Sequence, residues 1–288
     1  MQFFIVDVFA NAKYQGNPLA VVIPDRPIET IEMQQIANEI HFSETTFIMS
    51  GKKENGGYDV RIFSPEVELP FAGHPTLGTA FVISKMIENG TSPTVWLNLK
   101  VGQIPVTVSE DEWTMHQNQP TFDRIIENTH QVAEMVNLHA SDIDDRFPIQ
   151  VTSTGLPSLI VPLKSLSALQ KCQVDHHQFQ VFMEHQIKAN VLLFTRDESA
   201  STPQLRVRVF VDETGFFEDP ATGSANGNLA AYVLKHRYFR SNHVQYKVLQ
   251  GVEMGRPSLL NVDASIQEGL YQLLIGGKVC FVAKGDWE

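Results

Sequence analysis

GNPLAVVIP (residues 16–24) returns in altered form as GLPSLIVPL (155–163), 139 residues further on, and this echo decides how the chain is read. A second echo follows in the same order, VRIF (60–63) and VRVF (207–210), at an offset of 147. After each comes a loop of about ten residues, a turn rich in Gly, Thr and Ser, and an apolar helical stretch. Those stretches are TLGTAFVISKM (76–86) and SANGNLAAYVLKH (224–236). One short match is chance. Two in order, each leading to the same turn and helix, point to an internal repeat.

Working outward from these anchors, residues 3–9 and 19–24 read as strands on either side of a Gly16-Asn17-Pro18 turn. From Glu29 to His41, Ile31, Ile36, Ala37 and Ile40 recur at near-helical spacing, and 45–49 and 59–64 read as strands again. The expected fold class is α+β, with two similar lobes facing each other. Polar residues from Gln117 onward place the boundary near Pro120, giving an N-terminal lobe over 1–120 and a C-terminal lobe over 121–269. The last apolar segment, LYQLLIGGKVCFVAKG (270–285), reads as a hairpin turning at Gly276-Gly277, and 270–288 is expected to pack back on the first lobe.

Composition sets limits on partners. The chain has 288 residues, 43% hydrophobic and 19% charged, which suits a globular protein of two domains. Its net charge of −11 and lack of any Lys/Arg run longer than Lys52-Lys53 disfavour nucleic acid and anionic membranes as partners. A local site for a small anion stays possible, because backbone dipoles build one without Lys or Arg. Cys172 and Cys280 are far apart and outside any C-x-x-C spacing, as expected of free thiols in a reducing compartment. No basic leader precedes the first strand and no apolar run approaches a membrane span, so the expected location is the cytoplasm.

Chemistry is concentrated in the two turns. GHPT-LG and DPATGSANG each feed a helix N-terminus, whose exposed N–H groups and partial positive charge favour an anion. Gly73 and Gly223 let the backbone approach a ligand, and Thr76 and Ser224 are placed to cap or donate. Two such termini converging from opposite lobes would form a carboxylate-binding cleft; the plainer alternative is a pair of ordinary capped helices. His74 is either a turn histidine bonded to a nearby carbonyl or a group that acts on substrate. Asp219, in an Asp-Pro step, is either a helix cap or a functional carboxylate. Glu44 follows a helix and precedes an apolar strand; in an apolar cleft, desolvation would raise its pKa toward the range useful for proton transfer. His176, His177 and His185 read as a solvated helix face, and Phe216-Phe217 as core. No P-loop, G-x-S-x-G, H-E-x-x-H or dinucleotide fingerprint is present, and no cofactor or metal is expected.

SETTF (43–47), ELPFAGHPTLGTA (68–80), EDPATGSANG (218–227) and MGRPS (254–258) together resemble the PhzF-like family, phenazine-biosynthesis-type isomerases similar in fold to diaminopimelate epimerase. The resemblance runs over essentially the whole chain. It implies two β half-barrels, each around a central helix, with the active site in the cleft and a homodimeric assembly. It further implies that Glu44 is a general acid/base moving a proton on a small cyclic or conjugated carboxylic acid without cofactor. His74 and Asp219 would position substrate and assist, while Gly73, Gly223 and Ser224 would hold its carboxylate and polar groups. The related epimerases use one cysteine on each side of the substrate; here the corresponding turns offer Ala72 and Asp219, so a two-thiol mechanism is not expected. Two other functions stay open: a racemase or epimerase using Glu44 with Asp219 or His74, and a carboxylate-binding protein without turnover.

Overall fold

A computed structural model describes residues 1–185, 188–202, 204–213 and 216–288, and divides the chain into two compact units. The first comprises Met1–His116 with Gly276–Glu288, the second Gln117–Ile275.

The first unit runs β1 (Gln2–Val8), β2 (Asn17–Ile23), α1 (Thr30–Ile40), β3 (Thr45–Ile48), β4 (Gly57–Phe63), β5 (Glu68–Leu69), α2 (Gly73–Val82), β6 (Thr94–Leu99), β7 (Gly102–Ser109) and β8 (Glu112–His116). β1 and β2 are antiparallel, and α1 is the crossover that lets β3 run parallel to β2. β4 pairs antiparallel with β3 and with the short β5, and parallel with β6 across α2. All ten residues of α2 are buried. A helix apolar on every side is stable only inside a wrapping sheet, which is why GHPTLGTAFV occupies the centre. Gly78 sets how close that wrapping comes: a Cβ there would sit 2.5 Å from a Leu19 methyl and 2.8 Å from a Val8 methyl. On α1 the buried face is Met33, Ile36 and Ala37, with Ile40 partly buried, against Val22, Phe47 and Phe63. Ile31 is 71% exposed and lies outside that stripe.

In the second unit the order is β9 (Thr121–Ile125), α3 (Thr129–Met135), β10 (Gln150–Ser153), β11 (Pro157–Pro162), α4 (Leu166–Lys171), α5 (His176–His185), β12 (Asn190–Arg196), β13 (Gln204–Glu213), β14 (Phe216–Asp219), α6 (Gly223–Lys235), β15 (His243–Gln250) and β16 (Ser258–Gln267), and β17 (Leu270–Asp286) starts in this unit and ends in the first. The pairings replay those of the first unit. β10 and β11 form an antiparallel pair, β12 runs parallel to β11, and β13 is antiparallel to β12 and β14 and parallel to β15. α6 is the second central helix, buried from Gly223 to Leu234. The α+β class with two similar lobes, each a sheet about a central helix, is the observed architecture.

The VRxF echo acquires a physical meaning. Arg61 forms a bidentate pair with Glu68 at 2.7 Å for both contacts, and Arg208 does the same with Glu218 at 2.8 and 2.7 Å. Each guanidinium also stacks on the aromatic ring two residues on, Phe63 at 5.1 Å and Phe210 at 4.9 Å. These bonds fasten the short strands β5 and β14 to the long strands beside them.

The expected C-terminal hairpin is not formed. β17 is one continuous strand of 17 residues, and its last part pairs with β1 from Gln2↔Asp286 to Val8↔Val279. Gly276 is there for close approach rather than for a turn: a Cβ would meet Thr114 Oγ1 at 2.5 Å and the Trp113 carbonyl at 3.0 Å. The chain turns earlier, at Glu268 and Gly269, both with positive φ (52° and 81°). Only Gly276–Glu288 of the segment belongs to the first unit. His176 and His177 are exposed, as a solvated face requires, but Phe217 is 47% exposed, its ring packed on His176 at 4.1 Å rather than in the core.

Gly78→Ala gains helix propensity of at most about 1 kcal/mol yet forces a methyl onto Leu19 and Val8, where overpacking costs about 1–3 kcal/mol. The expected result is a net loss of stability of roughly 1 kcal/mol, read as a lower urea midpoint at unchanged slope.

Candidate active site

In the first unit, α1 stops at His41, whose left-handed conformation (φ 56°) turns the chain and whose N–H closes on the Ala37 carbonyl. Three residues later Glu44 stands immediately before β3. Alternation along that strand fixes its direction: Thr46 shares a 2.8 Å hydrogen bond with Thr79 of α2, so Glu44, of the same parity, is also turned toward α2. There its Oε2 lies 3.4 Å from His74 Nε2, with the side chains 15% and 4% exposed respectively.

Burial pushes the His74 imidazole down from 6.5 to about 3, opposed in part by a hydrogen bond with the Pro18 backbone. The ring is therefore neutral near pH 7, and its contact with Glu44 joins a carboxyl group to a neutral ring rather than two full charges. The other ring nitrogen, Nδ1, is 3.2 Å from Asn17 Nδ2, and Asn17 is fully buried at the start of β2. His74 is thus held through Nδ1, while Nε2 faces Glu44 without forming a hydrogen bond. The N-cap of α2 is Ala72, whose methyl supplies no oxygen to the N–H groups of Gly73 and His74 in the first turn. Thr76 uses its hydroxyl within the helix, donating to the Ala72 carbonyl at 2.7 Å.

In the second unit the equivalent turn carries Asp219, Thr222, Gly223 and Ser224. The N-cap of α6 is Thr222, but its hydroxyl does not cap; it donates instead in a close hydrogen bond to Asp219 Oδ2. Asn226, one turn into the helix, donates its side-chain N–H to the Thr222 carbonyl at 2.9 Å, as Thr76 does to Ala72. Ser224 is buried in the first turn. The expected site residues therefore fall into two groups. Glu44 and His74 are brought together, with Gly73 and Thr76 on the same helix; Asp219, Gly223 and Ser224 form the other group, around Thr222.

Comparison with known proteins gives these turns a family. The model of the phenazine biosynthesis-like protein family PhzC-PhzF matches residues 6–285. The chain belongs to this family. It is 34% identical to the trans-2,3-dihydro-3-hydroxyanthranilate isomerase of Pseudomonas chlororaphis over 90% of this chain and 88% of that one. It is 33% identical to an uncharacterized isomerase of Pasteurella multocida, over 99% and 93%. The crystal structure of the Bacillus anthracis phenazine biosynthesis protein of the PhzF family superposes with a TM-score of 0.89 at 25% identity, covering 99% and 98%. The chain is accordingly an isomerase of the PhzC-PhzF family.

The strand registers correct one equivalence drawn from sequence. Ile62 pairs with Leu69 in the first unit, and the matching Val209 pairs with Asp219 in the second. Both helices begin four residues later, at Gly73 and Gly223. Asp219 therefore corresponds to Leu69, and Ala72 to Thr222.

Asn17 escaped the sequence reading because GNP looks like turn punctuation. A signal was present: its repeat partner in GLP is Leu156, and an amide replacing an apolar residue at a matched position marks a polar task. Among the described residues no cluster of three or more His, Cys, Asp or Glu side chains could hold a metal ion, and no helix is long and apolar enough to cross a membrane.

Neutral burial of His74 makes stability pH-dependent. Its folded pKa lies below its unfolded value, so the unfolded chain takes up the proton first as pH falls below 6.5. Stability is full above that value and is lost down to about 3. Between pH 7 and pH 5 the wild type is expected to lose roughly 2 kcal/mol more than His74→Gln, measured by urea unfolding of both proteins.

Proposed function

We propose that this isomerase relocates a proton on a small cyclic or conjugated carboxylic acid, of the class to which trans-2,3-dihydro-3-hydroxyanthranilate belongs, with Glu44 as the general acid/base. The observation that carries the reading is the Glu44–His74 contact: a largely buried carboxyl group 3.4 Å from a neutral imidazole whose far nitrogen is bonded to Asn17. A carboxylate in that setting has little water to solvate its charge, which makes it a stronger base toward a carbon acid. The same group, once protonated, returns the proton at a second carbon, so one residue serves both steps and no group of opposite character is needed.

The neutral state of His74 suits this role. An imidazolium beside Glu44 would stabilise the carboxylate and blunt it as a base. A neutral ring orients it without neutralising it. Loss of a proton beside a conjugated carboxylate leaves negative charge on the substrate, and donors that are already oriented lower the barrier without reorganising. The uncapped first turn of α2, with Gly73, and that of α6, with Gly223 and Ser224, are the donors proposed to hold the substrate's carboxylate and polar groups. Asp219 is proposed to position substrate and assist proton movement.

The test is incubation of trans-2,3-dihydro-3-hydroxyanthranilate in D₂O, followed by NMR. Wild type is expected to move the proton along the ring with deuterium uptake, and Glu44→Gln to slow this by roughly 10²–10⁴ while still binding the acid. An unchanged rate in Glu44→Gln would remove that residue from the mechanism. Deuterium uptake with inversion at one carbon would identify an epimerase instead, and binding without any exchange a carrier.

A further inference from the structure

One side chain outside every motif satisfies its whole hydrogen-bonding capacity within the Asp219 turn. Gln250, the last residue of β15, is completely buried. Its Nε2 donates to the Asp219 carbonyl at 2.7 Å and to Thr222 Oγ1 at 3.1 Å. Its Oε1 accepts from the Thr222 N–H at 3.3 Å and from Asn226 Nδ2 at 2.9 Å. A carboxamide has two donors and two acceptor lone pairs, and all four are used. The amide cannot be turned over, since that would set its oxygen against the Asp219 carbonyl and its NH₂ against the Thr222 N–H.

This direction propagates. With Thr222 Oγ1 accepting from Gln250, the hydroxyl's own proton goes to Asp219 Oδ2, the close contact already described. A carboxyl oxygen that receives such a proton is served best when ionised. Of the charged side chains on the neighbouring elements, Arg208 pairs with Glu218, and Arg206 pairs at 3.0 Å with Glu253 in the loop after β15. Arg256 lies in that same loop.

We propose that Gln250 is a positioning residue that, through the Thr222 hydroxyl, fixes the orientation of the Asp219 carboxylate and favours its ionised form. Its consequence for turnover rests on the assisting role given to Asp219 above, but the hydrogen-bond chain itself is measurable without substrate.

The experiment is carboxyl ¹³C NMR of aspartate-labelled protein, with the Asp219 signal assigned by its loss in Asp219→Asn. Thr222→Val matches threonine in shape but lacks the hydroxyl, and is expected to move the Asp219 titration to higher pH; Thr222→Ser should restore it. Gln250→Met should move it in the same direction, and by less in the Thr222→Val background than alone. An Asp219 midpoint that stays put in Thr222→Val, or a Gln250→Met effect equal in both backgrounds, overturns the proposal. If Gln250→Met does not fold, Thr222→Val against Thr222→Ser decides the matter alone. With trans-2,3-dihydro-3-hydroxyanthranilate as probe, Thr222→Val should exchange protons about tenfold more slowly than Thr222→Ser. A titration that responds while wild type leaves this probe untouched upholds the hydrogen-bond chain and overturns the proposed reaction.

Discussion

Two bidentate ion pairs, Arg61–Glu68 and Arg208–Glu218, fasten the short strands from which both functional turns depart. Each lies between a long strand and a strand of a few residues that has little else to hold it. Removing one partner of the more deeply buried pair, Arg208–Glu218, costs about 3–5 kcal/mol, because the other charge is left uncompensated, whereas Glu68 keeps a second partner in Lys100 at 2.7 Å. The guanidinium is suited to this: its planar fork grips both carboxylate oxygens while its face rests on a phenylalanine. From each fixed glutamate the chain needs only a Pro-containing turn to enter its central helix. The positions of Gly73 and Gly223, and of the side chains around them, follow from that anchorage.

On this common frame the two units have diverged chemically. Where the first has Leu69, Ala72, His74 and Asn17, the second has Asp219, Thr222, Ser224 and Leu156. The first unit sets a carboxyl group against a neutral imidazole; the second sets one against a hydroxyl whose direction is dictated by an amide. The shared residues are those that hold backbone, and the differing residues are those that carry protons. This is the division expected when function resides in a site carried by a fold rather than in the fold itself.

Much of the architecture was legible because it depends on patterns that sequence displays directly. Apolar runs, helical spacing and the ordered echoes gave the strands, α1, and the two central helices within a few residues. What escaped reading depends on where one side chain meets another. Gly276 resembles a turn residue until the approach of Thr114 and Trp113 is seen. Asn17 and Gln250 belong to no motif, and an amide's worth lies entirely in its partners, which are brought near by folding. The pairing of Ala72 with Asp219 across the repeat failed for a related cause: the turns align by strand register, which similar strings of letters do not fix.

The offsets between the repeats carry one more implication. They grow along the chain, from 139 at GNP/GLP to 147 at VRIF/VRVF and 150 at the helix starts. The first increase falls where the crossover holds one helix in the first unit and two in the second, the next between the long strand and the short one. From glutamate to first helical residue the count is the same in both, Glu68 to Gly73 and Glu218 to Gly223. Length has drifted wherever a loop can absorb it and has been held where a ruler is needed. In this molecule the spacer between ion pair and helix behaves as a measured distance, and its residues can vary in kind far more readily than in number.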